Sequence, residues 1–169
     1  MPQVIAVLMV VVAVASLQVS RPVKGQYRLP AKGFAVDVPR EAKGFLEGDA
    51  AVERGIRIVL PSGGSVFVYG DMNGSEWRTP AEGVHSVTSV VPVRDNCAAG
   101  PISDLKIGQI AGAGARLVCG EDVVRLALAF RPGGGPIYWL RLETTRRREA
   151  AETKAFEGIA ATFQLIPWE

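Results

Sequence analysis

Two stretches of alternating apolar and polar residues, each turned back by a glycine-rich loop, constrain this chain most. In the first, Ile56, Ile58 and Leu60 alternate with Arg57 and Val59. Pro61-Ser62-Gly63-Gly64 supplies the turn, and Val66 to Tyr69 returns as a β-branched and aromatic strand. In the second, Asp122 to Arg131 reads as a long strand, Pro132-Gly133-Gly134-Gly135 as the turn, and Pro136 to Thr144 as the returning strand. Two such hairpins call for an antiparallel sheet. Two segments then carry the helical period. Thr79-Pro80-Ala81-Glu82 has the form of a capping box with proline at the first helical position, and Ala81, Val84, Val87 and Val91 follow at helical spacing. Near the end, Ala155, Phe156, Ile159, Ala160 and Phe163 share one helical face. That helix is expected to begin near Arg148 or Glu149, with Arg146, Arg147 and Arg148 in solvent. The expectation is an α+β fold in which helices flank an antiparallel sheet.

The shorter pieces complete this reading. Gly33 to Pro39 alternates Phe34, Val36 and Val38 on one face, a half-buried strand ended by proline. Arg40 to Ala51 is polar and glycine-containing, and is expected to be a loop. Ile102 to Ile107 reads as a strand or edge, Arg116 to Cys119 as a strand. The intervening Gly108 to Ala115 is expected to be a tight connection or bulge.

Before all of these lies an almost unbroken apolar run, Val4 to Leu17, with Ala13 and Ala15 preceding Ser16. An apolar core ending in small-x-small has the form of a secretory signal peptide cleaved after Ala15. No Lys or Arg precedes the run, and the first positive charges are Arg21, Lys24 and Arg28. The alternative is an uncleaved anchor, although the run is shorter than the roughly 20 residues of a spanning helix. Such an anchor would leave the domain in the cytoplasm. The expected organisation is a signal peptide over 1–15, a linker over 16–30 and one α+β domain over 31–169. Its expected location is secreted or periplasmic. Membrane association is expected only if the N-terminal segment stays attached.

Composition narrows the function classes. The 19 basic and 17 acidic residues nearly balance, which excludes a general nucleic-acid binder. Cys97 and Cys119 are the only two cysteines, and in an oxidising compartment an even count reads as a disulfide. Two free thiols are the alternative. The single histidine, His85, leaves too few soft ligands for a zinc site and no triad partner set. No catalytic residue, cofactor or metal is expected, and a small enzyme of unknown type is the alternative to a non-enzymatic module. Gly108 to Gly114 lacks both phosphate-loop fingerprints. Asp71, Asn73 and Glu76 lie in ordinary turn sequence. Glu121 and Asp122 read as solvated turn acids. The candidate binding surface is Tyr138 and Trp139, which should face opposite sides of a strand, together with Arg146, Arg147 and Arg148, the one dense charge run.

Several blocks in sequence order carry a resemblance. An early Gly33-Phe34-Ala35-Val36-Asp37-Val38-Pro39 strand follows Tyr27-Arg28-Leu29-Pro30. Ile102 to Gly108, Ala115 to Val118, Val123 to Phe130 and Ile137 to Leu140 come later. The last helix has the form Phe-x-x-Ile-x-x-x-Phe, from Phe156 through Ile159 to Phe163. This order resembles the PsbP-type α/β/α sandwich, including its small secreted bacterial relatives, over about Tyr27 to Leu165. The resemblance implies a binding or assembly module of the envelope with an unidentified protein or envelope partner. That fold class has no common catalytic residues, so none is carried over.

Overall fold

The computed structural model describes residues 22–48, 52–95 and 97–168. The expected signal segment, with Ala13, Ala15 and Ser16, lies outside them. The chain runs β1 (Gly25–Leu29), β2 (Phe34–Val38), β3 (Lys43–Gly48), β4 (Glu53–Val59), β5 (Ser65–Met72) and α1 (Pro80–Asp95). It continues with β6 (Ala98–Ala99), β7 (Ser103–Ile107), β8 (Ile110–Cys119), β9 (Asp122–Phe130), β10 (Pro136–Thr145), α2 (Glu149–Ala161) and β11 (Gln164–Leu165).

An eight-stranded sheet has the order β3-β4-β5-β10-β9-β8-β6, with β7 also paired to β8. A three-stranded sheet has the order β1-β2-β11. All pairings are antiparallel. The two expected hairpins form as read. Gly63 N–H closes the first turn onto Leu60 at 2.9 Å with φ at 102°. The second turn spans Arg131 to Pro136, and its three glycines all have positive φ.

Strand parity divides the large sheet into two faces. On one, Ile56, Ile58, Val66, Val68, Ala127, Ala129, Tyr138, Leu140 and Leu142 are buried against Phe34 and Val36 of the small sheet and Phe156 and Ile159 of α2. Phe34 stacks on Phe163 with centroids 5.4 Å apart and meets Tyr138 edge-on at 5.9 Å. Phe34 is fully buried, and burying such a side chain stabilises the fold by about 1.5–3 kcal/mol. On the opposite face, Val84 of α1 packs with Ala113, Ala115, Leu128 and Ile137. The two helices therefore cover opposite sides of one antiparallel sheet.

The capping box of α1 forms. Glu82 N–H donates to Thr79 Oγ1 at 3.2 Å, and Arg78 N–H donates to Glu82 Oε2 at 2.8 Å. α2 starts at Glu149, within the expected position, with no side-chain cap.

Three segments differ from the sequence reading. The stretch expected to be linker through Pro30 contains β1, because Tyr27 and Leu29 alternate inward and Tyr27 meets Phe34 at 5.9 Å. The expected loop over Arg40 to Ala51 contains β3, an edge strand whose charged Lys43 and Glu47 suit an edge. The expected connection over Gly108 to Ala115 turns only at Gly108 and Gln109 and then enters β8. Its glycines belong to the strand: a Cβ at Gly112 would meet the Leu128 carbonyl oxygen at 2.4 Å.

Candidate functional site

α1 lies mainly over β8 and β9 and reaches Ile137 of β10, so among the described residues no helix packs to a comparable extent on the same face of β3, β4, β5 and the rest of β10. Cross-strand register sets what this open face displays. One row runs Phe45, Arg57, Phe67, Arg141. Arg57 lies over the Phe45 ring at 5.5 Å and Arg141 over the Phe67 ring at 4.4 Å, two cation–π contacts in one line. The next row runs Glu47, Gly55, Tyr69, Trp139. Arg57 pairs with Glu47 at 3.0 Å and Arg141 with Glu143 at 3.1 Å. These side chains remain 31–48 % exposed, so the pairs are solvated and contribute little to stability.

Both aromatic rings of the second row are braced. Trp139 meets Trp77 edge-on with centroids 5.9 Å apart, and Tyr69 stacks on Phe67 at 5.9 Å. Burial raises the Tyr69 pKa above its ordinary value. Arg141 and Arg57 pull it down, while Glu47 and Glu143 add to the rise. The Tyr69 hydroxyl is therefore neutral and able both to donate and to accept at ordinary pH. Beside it is an open groove of about 460 Å³, lined by Glu47, Gly48, Arg54, Tyr69, Asp71 and Trp139 among others.

The residues singled out from the sequence separate in space. Tyr138 is fully buried and belongs to the core, so it offers no surface. Trp139, its neighbour, is half-buried on the open face, as strand alternation requires. The three arginines are seven or more residues further along β10 and beyond, roughly 24 Å away at strand rise. Arg146 Nε donates to the Gly120 carbonyl at 2.8 Å, Arg147 is exposed, and Arg148 Nη1 donates to the Ser62 carbonyl at 3.0 Å. Arg146 and Arg148 brace two hairpin turns, and the three form no common patch with Trp139. Cys97 and Cys119 are bonded, with Cα atoms 4.2 Å apart, at the next step of the β6–β8 register.

Among the described residues, no three His, Cys, Asp or Glu side chains gather as a metal site. Asn73 holds Trp77 through both its amide oxygen (3.1 Å) and nitrogen (2.7 Å), a turn lock. His85 is exposed on α1, and Glu121 and Asp122 are exposed at the β8–β9 turn.

The most confined carboxylate, Glu152 of α2, escaped sequence reading. It is 1 % exposed. It accepts hydrogen bonds from the Ser62 and Thr144 hydroxyls and from Gly64 N–H (3.0 Å), and Arg148 lies 3.5 Å away. Burial pushes its pKa up, but the three hydrogen bonds and the Arg148 charge together hold it below the ordinary value. Every oxygen is engaged, so Glu152 ties α2 to the first hairpin and to β10. Close by, Glu149 is gripped by Arg116 at 2.6 and 2.7 Å and by Arg125 at 3.3 Å.

No protein-family model and no curated protein matches the chain significantly. Solved structures do. The solution structure of cyanobacterial PsbP (CyanoP) from Synechocystis sp. PCC 6803 superposes with a TM-score of 0.60 at 11 % identity, covering 89 % of this chain and 95 % of that one. A crystal structure of a Bacteroides thetaiotaomicron protein superposes with a TM-score of 0.56 at 14 % identity, covering 84 % of this chain. This chain spans only 48 % of that second one. The eight-stranded antiparallel sheet with its two helices is a PsbP-like fold.

Proposed function

We propose that this chain is an exported, non-enzymatic binding domain that docks an envelope component on the open face of its large sheet. The observation that carries this reading is the face of β3, β4, β5 and the Trp139 end of β10 that no helix covers among the described residues, where half-buried Phe45, Tyr69 and Trp139 alternate with solvated arginine–glutamate pairs. A sheet face that serves only as outer surface needs no ordered rings, whereas aromatic and arginine side chains are enriched where proteins make contacts. The apolar N-terminal run and the Cys97–Cys119 bond both support an extracytoplasmic location. Among the described residues no helix is long and apolar enough to cross a membrane.

Photo-crosslinking in the native host tests this reading. A photoreactive side chain at Arg57 should capture an envelope component, and one at exposed Glu157 on the opposite side should not. Fractionation should place the protein outside the cytoplasm with no free thiol. Equal capture from both positions, or a cytoplasmic protein with both thiols free, sinks the proposal.

A further inference from the structure

We infer that the groove beside Tyr69 and Trp139 is a saccharide site that takes a neutral, hydroxyl-rich sugar unit; this rests on reading the open face as a binding face. Tyr69 and Trp139 are direct cross-strand partners, so their rings stand side by side on one floor. Trp77 and Phe67 hold the two rings in fixed orientations before any ligand arrives. The C–H face of a pyranose is apolar and matches such rings. Gly55 stands between Glu47 and Tyr69 in the row and adds no side chain, which leaves the floor open. It cannot be replaced, because a Cβ there would meet the Val68 carbonyl oxygen at 1.9 Å.

The polar rim explains the choice of a neutral ligand. Glu47, Asp71 and Arg54 line the groove together. Glu47 is steadied by Arg57 at 3.0 Å, and Asp71 lies 3.8 Å from Lys32. Both signs of charge therefore surround the space. An anion would face two carboxylates, and a cation would face the guanidinium. A sugar meets no such penalty. Its adjacent hydroxyls match the planar, two-pronged geometry of a carboxylate, which accepts a pair of hydrogen bonds. A cavity of about 460 Å³ lies within the range of small-ligand sites, and its openness at the sheet edge suits one unit of a longer glycan.

The test is an NMR titration of the disulfide-bonded domain with gluco-, manno- and N-acetylglucosamine tetrasaccharides, with a sulfated oligosaccharide and an extended neutral peptide in parallel. The expected result is saturable shifts at the Trp139 indole and the Tyr69 amide with a neutral sugar alone. Tyr69→Ala should weaken binding at least tenfold, and Tyr69→Phe by less than threefold. Asp71→Ala, at an exposed position that leaves the fold intact, should weaken it several-fold. Failure of all three neutral sugars to shift these resonances at millimolar concentration overturns the inference. So does saturation by the peptide or the sulfated sugar instead, or wild-type affinity in both Tyr69→Ala and Asp71→Ala. Capture of a protein from Arg57 together with sugar-silent spectra would remove the saccharide and keep the binding face. Silence in both experiments removes both.

Discussion

Glu152 shows how a single residue joins elements that are far apart in the chain. Its carboxylate receives Gly64 N–H from 88 positions away, and Gly64 must lack a side chain for this approach: a Cβ there would meet Glu152 Oε2 at 2.1 Å. Glu152→Gln keeps the shape but puts an amide N–H₂ among three donors. It should destabilise the fold by about 1–3 kcal/mol, as expected for buried donors left without an acceptor. The pH dependence has a definite sign. The folded carboxyl titrates below its ordinary value, so its contribution is complete above the ordinary carboxylate range near about 4.3. It is lost as pH falls through the folded pKa. Urea unfolding of both proteins across pH should show a constant gap above pH ~5 that narrows in acid. A gap that widens in acid would refute the assignment. In the sequence Glu152 is one more acid in a helical stretch. Nothing local records that a hairpin arrives on top of it.

At the scale of elements, legibility followed the number of inward-facing residues. Both hairpins and both helices have four or more apolar positions at a clear period, and each formed as read. β1 offers only Tyr27 and Leu29, β3 is an edge with charged positions, and β11 has two residues, so none carries a period of its own. These strands exist because a partner is already in place. β11 illustrates this. Arg131 Nη2 donates to the Ile166 carbonyl at 3.0 Å, while Nη1 donates to the Gly33 carbonyl and the Tyr138 hydroxyl, each at 3.0 Å. One guanidinium thus clamps the C-terminal segment and β2 to the second hairpin. Arg131→Met should destabilise the domain by at least roughly 2–4 kcal/mol, because the Gly33 and Ile166 carbonyls each lose a charged donor worth about 1.5–3 kcal/mol and water replaces it only in part. Hydrogen exchange should accelerate first at Ile166, whose amide bonds Gly33 at 3.0 Å. Unchanged exchange there would show the clamp to be idle. β6 is the parallel case on the far edge, two residues long and tied by Cys97–Cys119. Replacing both cysteines with alanine should destabilise the fold by up to roughly 3 kcal/mol in the chain-entropy model. Fraying should centre on Gly100, whose amide bonds Arg116 at 2.7 Å. Full stability after reduction would argue against a structural bond.

The whole molecule is lopsided. Among the described residues, one face of the large sheet is sealed by a second sheet and α2, whereas the other is covered by α1 chiefly over β8, β9 and Ile137 of β10. Strand alternation made Trp139 and Tyr138 legible as opposites, but not which of the two faces a helix would leave open. The candidate site was accordingly half-legible: Trp139 belongs to it, the three arginines do not, and Phe45, Arg57, Tyr69 and Arg141 became visible only through cross-strand register. This asymmetry predicts two classes of aromatic residue. Phe34→Ala opens a cavity among Val36, Tyr138 and Phe163 and should destabilise the domain by about 3–5 kcal/mol. Phe45→Ala removes a half-buried ring and one solvated cation–π contact, worth about 0.5–1 kcal/mol at an exposed site, and should shift the unfolding midpoint little. Arg57→Ala should do no more, and the double variant should show a coupling of that same small size. Denaturant unfolding of the wild type and these four variants measures all of this. If Phe45→Ala proved as damaging as Phe34→Ala, the open face would be a folding core and not a contact surface. A small effect instead means that the Phe45 ring of β3 stands largely outside the fold's own energetics, where binding can use it.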